Sequence, residues 1–489
     1  SLREVLEPAI HYAEQGHPML ARVADTIAGL AGFFQADWPT SAEVWLPGGS
    51  APKAQALFRN PALAETWKRL LREAESASGR EAQIEKARDT FYRGFIAEAV
   101  DDFFRTAEVK DGADTDGRHP DGVHKGVLSG ADLAGYSATV EAPQTYDYHG
   151  WTLCKTGPWG QGPVLLQALA LLKGFDIASL DPAGPEFIHL TVEAMKLAFA
   201  DREIYYGDPN FAGQEFPGVP MEHLLSDAYN DERRRLISDR ASHDLRPGTV
   251  PGYEDQFART MQVIEAAGIS ETGVYEPTMA HLADTAALGR SSVETSGDTV
   301  HIDVIDRWGN MVSTTPSGGW LQSSPSIPGL GFQMNSRAQM FWLTEGLPTT
   351  LAPGKRPRTT LTPSLALFEG RPTFAFGTPG GDQQDQWQLP FFLRIAHHGL
   401  NLQEAIDLPL FHTTHFPASF YPRQRQPGHI MVEQSIGPAA LEVLTQLGHS
   451  IEAAEEWSVG RLTGAKREAD GLLKAAATPR LMQAYAIGR

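Results

Sequence analysis

The order of apolar patterns along the chain predicts a layered α/β fold. Apolar side chains recur at three-to-four spacing through the first hundred residues, short strands joined by turn signals follow Thr299, and helical spacing returns after Gln383. Helix, then sheet, then helix is the sequence order of a sheet covered by helical layers. With 489 residues the chain can bury a large core, either as two to four conventional domains or as one large α/β unit.

Taken in order, Leu6, Ile10 and Ala13, and later Phe91, Phe95, Ala99 and Phe103, mark helical faces. Residues 109 to 129 are rich in Asp and Gly without periodicity and predict a surface loop. Asp111, Asp114 and Asp116 in it lack the spacing and the closing glutamate of a calcium loop. Strand-like residues from Val140 to Cys154 run through Tyr148-His149-Gly150-Trp151. The Gly/Pro run from Gly157 to Gly162 then enters an apolar helix over Val164 to Leu172; it fits neither a dinucleotide nor a P-loop pattern and predicts a packing turn. A helix over Glu186 to Tyr206 carries Phe187, Leu190, Ala194 and Leu197 on one face. Ala241 to Gly297 is polar, interrupted by Gly and Pro, and predicts a long linker. Thr299 to Asp306 predicts a buried strand, and hairpin turns fall at Arg307-Trp308-Gly309-Asn310 and Glu369-Gly370-Arg371-Pro372. Helices are predicted over Gln383 to His398 and Pro438 to Leu447, with closing strands near Ile451 and over Leu472 to Ala477.

Composition narrows the function. The 60 acidic residues outweigh 41 basic ones for a formal charge of −19, which repels phosphate backbones and argues against nucleic acid as a partner. No run of about 18 apolar residues is present to span a bilayer. Cys154 is the only cysteine, so no intrachain disulfide forms and the compartment stays open. Residue 1 is Ser and the chain opens straight into a helical pattern, so an upstream segment is expected.

The residue with the most chemical content is Thr299. If the backbone is cut between Asp298 and Thr299, one residue carries a nucleophilic hydroxyl and a free α-amine to deprotonate it. That amine, with a reference pKa of about 7.7–8.0, takes the proton directly or through one water, and the β-methyl restricts χ1. A tetrahedral intermediate then needs two N–H donors, which the glycine-rich turn at Gly380 and Gly381 can supply. On residue type alone the bland reading stays open: a threonine opening a strand is a β-former and Pro-Gly-Gly is a turn. His412/His415 and His397/His398 lack an accompanying zinc ligand set, and Trp159, Trp320, Trp342 and Trp387 read as core before pocket. No G-x-S-x-G elbow occurs.

Several separated motifs carry a resemblance. They are Tyr148-His149-Gly150-Trp151, Ala200-Asp201-Arg202-Glu203-Ile204-Tyr205-Tyr206-Gly207-Asp208-Pro209, Thr299-Val300-His301, Asp306-Arg307-Trp308-Gly309-Asn310, Gly354 to Pro363, and Gly377-Thr378-Pro379-Gly380-Gly381-Asp382. In this order they resemble the γ-glutamyltranspeptidase family of N-terminal-nucleophile hydrolases, from near residue 1 to residue 489. The resemblance implies a four-layer αββα sandwich, made as one precursor and cut into a large subunit (1–298) and a small subunit (299–489) that begins at the nucleophile. It implies Thr299 as nucleophile, Ser317 as its hydrogen-bond partner, and Gly380 and Gly381 as oxyanion donors. Thr359 and Thr360 stand for the two serines that grip a donor α-carboxylate. The implied activity is acyl transfer from a γ-glutamyl amide such as glutathione to water or an amino acid, with no metal or organic cofactor.

The substrate side departs from the pattern. Gly319 stands where the family has an asparagine, and Met340 lies near its carboxylate for the substrate ammonium. A charge-assisted bond of about 1.5–3 kcal/mol is lost there unless Asp382 or Asp385 replaces it. Arg337 stands near a polar glutamyl contact and is read either as a carboxylate anchor, which suits a glutaryl-type acyl group, or as a structural arginine. A cephalosporin or glutaryl acylase of the same family is therefore the nearest rival, and a non-catalytic relative acting as a binding module the third.

Overall fold

The computed structural model describes residues 1–107, 109–110, 123–124, 126–211, 216–269, 299–318, 321, 324–335, 337–420, 423–480 and 484–488. Asp111, Asp114, Asp116, Asp298, Gly319 and Trp320 lie outside them. The described residues divide into two compact units, one from residues 1–140 and 318–335, the other from residues 141–269, 299–317 and 337–488.

The smaller unit is helical. Its main helices are α1 (Leu2–Gln15), α2 (Ala21–Ala36), α3 (Pro61–Ala74), α4 (Arg80–Arg93) and α5 (Phe95–Thr106). Ser1 and Glu4 form a capping box on α1, and Asn60 caps α3 through Leu63 N. The apolar run from Phe91 to Phe103 is split between two helices at Gly94, where a Cβ would lie 2.8 Å from Thr90 O. Asn60 Nδ2 and Thr66 Oγ1 hold the carbonyls of Gly331 and Leu330 at 2.7 and 3.0 Å, which seats residues 324–335 on the helices of this unit.

Among the described residues every strand longer than two residues lies in the larger unit. Its strands are β1 (Gln144–Tyr148), β2 (Trp151–Lys155), β3 (Ile302–Ile305), β4 (Met311–Thr314), β5 (Ser364–Phe368), β6 (Arg371–Gly377), β7 (Phe411–Thr413), β8 (His429–Glu433), β9 (Ser450–Ala454), β10 (Thr463–Arg467) and β11 (Leu473–Ala477). An antiparallel sheet runs β11-β10-β6-β5-β2-β1, β7-β8-β9 form a mixed three-stranded sheet, and β3-β4 form a ribbon. The strand-like stretch before Cys154 is two strands: the chain reverses at His149-Gly150, with φ of 48° and 83°, as a two-residue hairpin requires.

Alternation along β6 sorts the layers. Phe374 and Phe376 point to one face, where they meet Phe391 and Phe392 of α6 (Gln384–His398) within the main core. Ala375 and Gly377 point to the other, where the β3-β4 ribbon packs: the His301 ring occupies the space a Cβ on Gly377 would need. The helix Pro185–Tyr205 is buried nearly all round from Phe187 onward, not on one face as its apolar spacing predicts, because Glu193, Lys196, Asp201, Arg202 and Glu203 are paired inside. A helix over Glu254–Ala267 lies within the predicted linker; Phe257, Met261 and Ile264 at helical spacing pack on the main core, while its other buried positions, Gln256 and Thr260, are polar. Among the described residues no helix is long and apolar enough to cross a membrane.

Candidate active site

The β3-β4 register places Ile302 opposite Thr314 and Asp303 opposite Ser313. Continued back to Thr299, that register sets His301 opposite Thr315 and Thr299 opposite Ser317, and Val300 N donates to Pro316 O at 3.1 Å. Side chains on the inner face follow suit. Thr299 Oγ1 and Ser317 Oγ are 2.7 Å apart, His301 Nδ1 meets Thr315 Oγ1 at 2.8 Å, and Ser313 Oγ donates to Asp303 Oδ1 at 2.9 Å. His301 Nε2 also meets Asp303 Oδ1 at 2.9 Å, and Thr463 Oγ1 of β10 donates to Asp303 Oδ2 at 2.9 Å. The ribbon thus carries a ladder of polar pairs with Thr299 at its outer end, and Thr299 is 6% exposed.

The ladder meets the end of β6. His301 lies against Gly377, where a Cβ would come within 2.3 Å of its ring, and the chain then turns through Thr378-Pro379-Gly380-Gly381. Gly380 and Gly381 have φ of 126° and 49°, and Gln383 N donates back to Gly380 O at 3.0 Å. A side chain on Gly380 is doubly excluded, by its backbone and by Trp387, 2.3 Å from a built Cβ. Gly380→Ala is therefore expected to displace the turn, costing about 1–3 kcal/mol for the backbone alone and about 10²- to 10³-fold in turnover if an oxyanion donor moves. Melting curves and kcat measured together check this.

The turn is anchored from behind. Asp382 Oδ1 accepts from Arg202 Nη1 at 2.5 Å and from Ser419 Oγ at 2.6 Å, and Oδ2 accepts from Ser419 N at 2.7 Å. Burial alone would push this carboxyl up, but the Arg202 charge and the Ser419 hydrogen bonds together hold it below the usual carboxylate range. Gln161, in the Gly/Pro loop, donates to Gly381 O at 3.4 Å and accepts from Arg202 at 3.0 Å. Arg423, with a left-handed φ of 68°, donates to Ser419 O and to the carbonyls of Gln339 and Phe341 at 2.8 Å each. Those carbonyls belong to the turn that begins at Arg337, whose Nη2 donates to Ser317 Oγ. A continuous run of polar contacts thus links the glycine turn to the hydroxyl beside Thr299.

Thr359 and Thr360 sit on the same loop system. Thr359 N donates to Trp159 O at 2.8 Å, and Gly160 bridges Thr359 so tightly that its own Cβ would lie 3.1 Å from Leu361 O. Both hydroxyls are buried without a hydrogen-bond partner among the described residues, a condition that costs about 1–3 kcal/mol per group unless a ligand or water relieves it. Arg337 is 6% exposed, lies 5.8 Å from the Phe420 ring, and has Met340 Sδ 3.9 Å from Nη1. Asp385 Oδ1 accepts from Thr362 Oγ1 at 2.8 Å and pairs with Lys155 at 3.0 Å, and Oδ2 is buried without a hydrogen-bond partner among the described residues.

Four residues of this network, Arg202, Gln161, Ser419 and Arg423, had no role predicted from their type or spacing. Arg202 stands inside one of the motifs, in the last turn of the helix Pro185–Tyr205 between Asp201 and Glu203, and opposite charges side by side there are a signal of internal pairing. Ser419 and Arg423 lie in an aperiodic stretch that offers no signal. Among the described residues, His189, Glu193 and His449 form the one cluster of potential metal ligands. Lys196 and Arg246 already neutralise Glu193 at 2.7 and 2.8 Å and the two imidazoles bond each other at 2.8 Å, while His449 Nδ1 has no hydrogen-bond partner among the described residues.

The family model described as Gamma-glutamyltranspeptidase matches residues 1–488. The chain belongs to the gamma-glutamyltranspeptidase family. It is 48% identical to the solved structure of LmbA2991HD, with a TM-score of 0.86, covering 100% of this chain and 78% of that one. It is 28% identical over 452 residues to the Acylase ACY 1 proenzyme of Pseudomonas sp. (strain SE83) and 27% identical over 454 residues to the Glutathione hydrolase proenzyme of Bacillus subtilis (strain 168). Each alignment covers 92% of this chain, and the chain spans 65% of the length of both curated relatives. The layered helix and sheet architecture is accordingly that of the N-terminal-nucleophile hydrolases to which the gamma-glutamyltranspeptidase family belongs.

Proposed function

We propose that this protein is a self-processing amidohydrolase or acyltransferase that works through Thr299. The carrying observation is the 2.7 Å contact of Thr299 Oγ1 with Ser317 Oγ at the end of a polar ladder that abuts Gly377, just before the Gly380-Gly381 turn. In the precursor, Thr299 Oγ attacks the carbonyl of Asp298, an ester forms, and water releases a small subunit of residues 299–489 from a large subunit of residues 1–298. The freed α-amine then serves as base while the same oxygen takes an acyl group from an amide, and water or an amino acid removes it. Gly380 and Gly381 supply N–H donors to the oxyanion, and the partnerless hydroxyls of Thr359 and Thr360 suit a polar group of the substrate. No metal or organic cofactor enters this chemistry.

Two acyl classes fit the fold, the γ-glutamyl group of glutathione and the glutaryl-type group of an acylase. Arg337 favours the second. A buried cation beside Met340 attracts a terminal carboxylate and opposes a substrate ammonium, and Asp382 has both oxygens committed to Arg202 and Ser419. Asp382 is therefore assigned to holding the glycine turn. A panel of γ-glutamyl and glutaryl anilides on processed protein tests the choice: the glutaryl amide is expected to have the higher kcat/KM by about 10- to 100-fold, the worth of one charge-assisted contact. The reverse order assigns the γ-glutamyl class, and no turnover of any amide by cut protein favours a binding module.

A further inference from the structure

We propose that Glu203 is a positioning residue that fixes the wall carrying Thr359 and Thr360 against the Gly380-Gly381 turn. This rests on the acyl-amide reading above. Glu203 is buried and receives two guanidinium groups. Arg202 Nε donates to Glu203 Oε1 at 2.8 Å, and Arg358 Nη2 lies 3.0 Å from Oε1 and 3.2 Å from Oε2. Arg202 reaches on to Asp382, the neighbour of Gly381 in the chain, and Arg358 immediately precedes Thr359. One carboxylate is therefore shared by the cation behind the glycine turn and the cation behind the two hydroxyls.

The sharing matters because both cations are buried and of one sign. Burial and the Arg202 charge push the Arg358 guanidinium below its ordinary value, and Glu203 is the largest influence opposing them. The two guanidiniums are not held equally. Arg202 also donates to Asp382, Gln161 and the carbonyl of Pro417, whereas the other partner of Arg358 among the described residues is the carbonyl of Arg202, at 3.3 Å. Once the Glu203 charge is removed, the glycine turn keeps its anchor and the Thr359-Thr360 wall is the part that gives. Thr359 N stays tied to Trp159 O at 2.8 Å, so the wall shifts rather than unfolds. The separation of the partnerless hydroxyls from the glycine turn sets which acyl group reaches both at once, and Glu203 thereby sets it.

Self-cutting at Thr299 involves no external substrate and none of these hydroxyls, so it separates placement of the wall from support of the fold. Full-length chains of wild type, Glu203→Gln, Arg358→Lys, the Thr359→Val/Thr360→Val pair and that pair with Glu203→Gln are followed for cutting by denaturing electrophoresis. The cut proteins are then assayed for kcat and KM with γ-glutamyl and glutaryl anilides. Glu203→Gln is expected to cut within about 2-fold of wild type and to lose about 10- to 100-fold in kcat/KM on the anilide that wild type prefers, the worth of one charge-assisted contact. In the valine pair the same substitution is expected to cost less than about 2-fold, because the wall it moves no longer carries hydroxyls. Circular dichroism melting identifies a variant that does not fold; should Glu203→Gln be one, Arg358→Lys takes its place with the same expected split, since it keeps the charge but lacks the planar fork that reaches Glu203 and the Arg202 carbonyl together. Equal slowing of cutting and turnover, unchanged turnover, or a cost that multiplies in full with that of the valine pair overturns the placement role while leaving the Thr299 chemistry in place. A wild-type chain that neither cuts nor turns over either anilide overturns both.

Discussion

Thr299→Ala is expected to remain one uncut polypeptide and to lose all measurable acyl-amide turnover, with its fold unchanged. The same oxygen forms the new bond in both stages of the proposed chemistry, so its removal leaves neither a self-cleavage route nor an acyl acceptor. Deleting a nucleophile from an assembled site costs about 10⁴- to 10⁶-fold in kcat, far more than any contact around it. The structural cost is small: Thr299 contributes one hydrogen bond to Ser317, worth about 1 kcal/mol, while His301, Asp303 and Thr463 still lock the ribbon to β6 and β10. Thr299→Ser keeps the hydroxyl and is expected to cut and turn over at a reduced rate, since the methyl that restricts χ1 is gone. Electrophoresis and intact mass identify the fragments, and the smaller one in wild type should begin at Thr299. Two fragments from the alanine variant would remove Thr299 from the chemistry.

Much of the frame was legible because local chemistry forces it. Hairpins at Arg307 to Asn310 and at Glu369-Gly370 appear where turn residues stand, and the helix over Gln384–His398 begins within one residue of its expected start. The strand after Thr299 was legible as a strand but not in its sidedness. Ile302 and Val304 are half-exposed, while His301 and Asp303 point inward against Gly377 and Thr463. An alternating strand shows which residues share a face but not which face is buried, and here the polar side is the inner one because each polar group meets a partner across the ribbon or from β10. The link from Asp382 to Ser419 to Arg423 to the Arg337 turn was illegible for a different reason. It joins residues far apart in sequence through backbone carbonyls, and a carbonyl has no residue type to read.

That link makes Asp382→Ala the substitution with the largest expected effect on stability, and ties the loss to function. Arg202 is wholly buried, its guanidinium 4.4 Å from the Phe199 ring, and it divides its donors among Asp382, Glu203, Gln161 and the carbonyl of Pro417. Removing the Asp382 carboxylate strands one face of that cation and leaves Ser419 N without its acceptor, a loss of about 3–5 kcal/mol for a broken buried pair. Asp382→Asn keeps an acceptor of the same shape and is expected to fall between. The pH dependence follows from the depressed carboxyl: its stabilisation is complete above the unfolded-state value of about 3.9 and is lost as pH falls through the lower folded value. The gap in denaturation midpoint between wild type and Asp382→Ala should hence be constant from pH 8 to 5 and close below about pH 4. Because Ser419 O also receives Arg423, whose other donors hold the turn that presents Arg337 to Ser317, the alanine variant should lower kcat as well as the midpoint. A variant that melts with wild type and turns over at the wild-type rate would mean that the glycine turn holds its shape without Arg202, and that the polar run behind the site is packing alone.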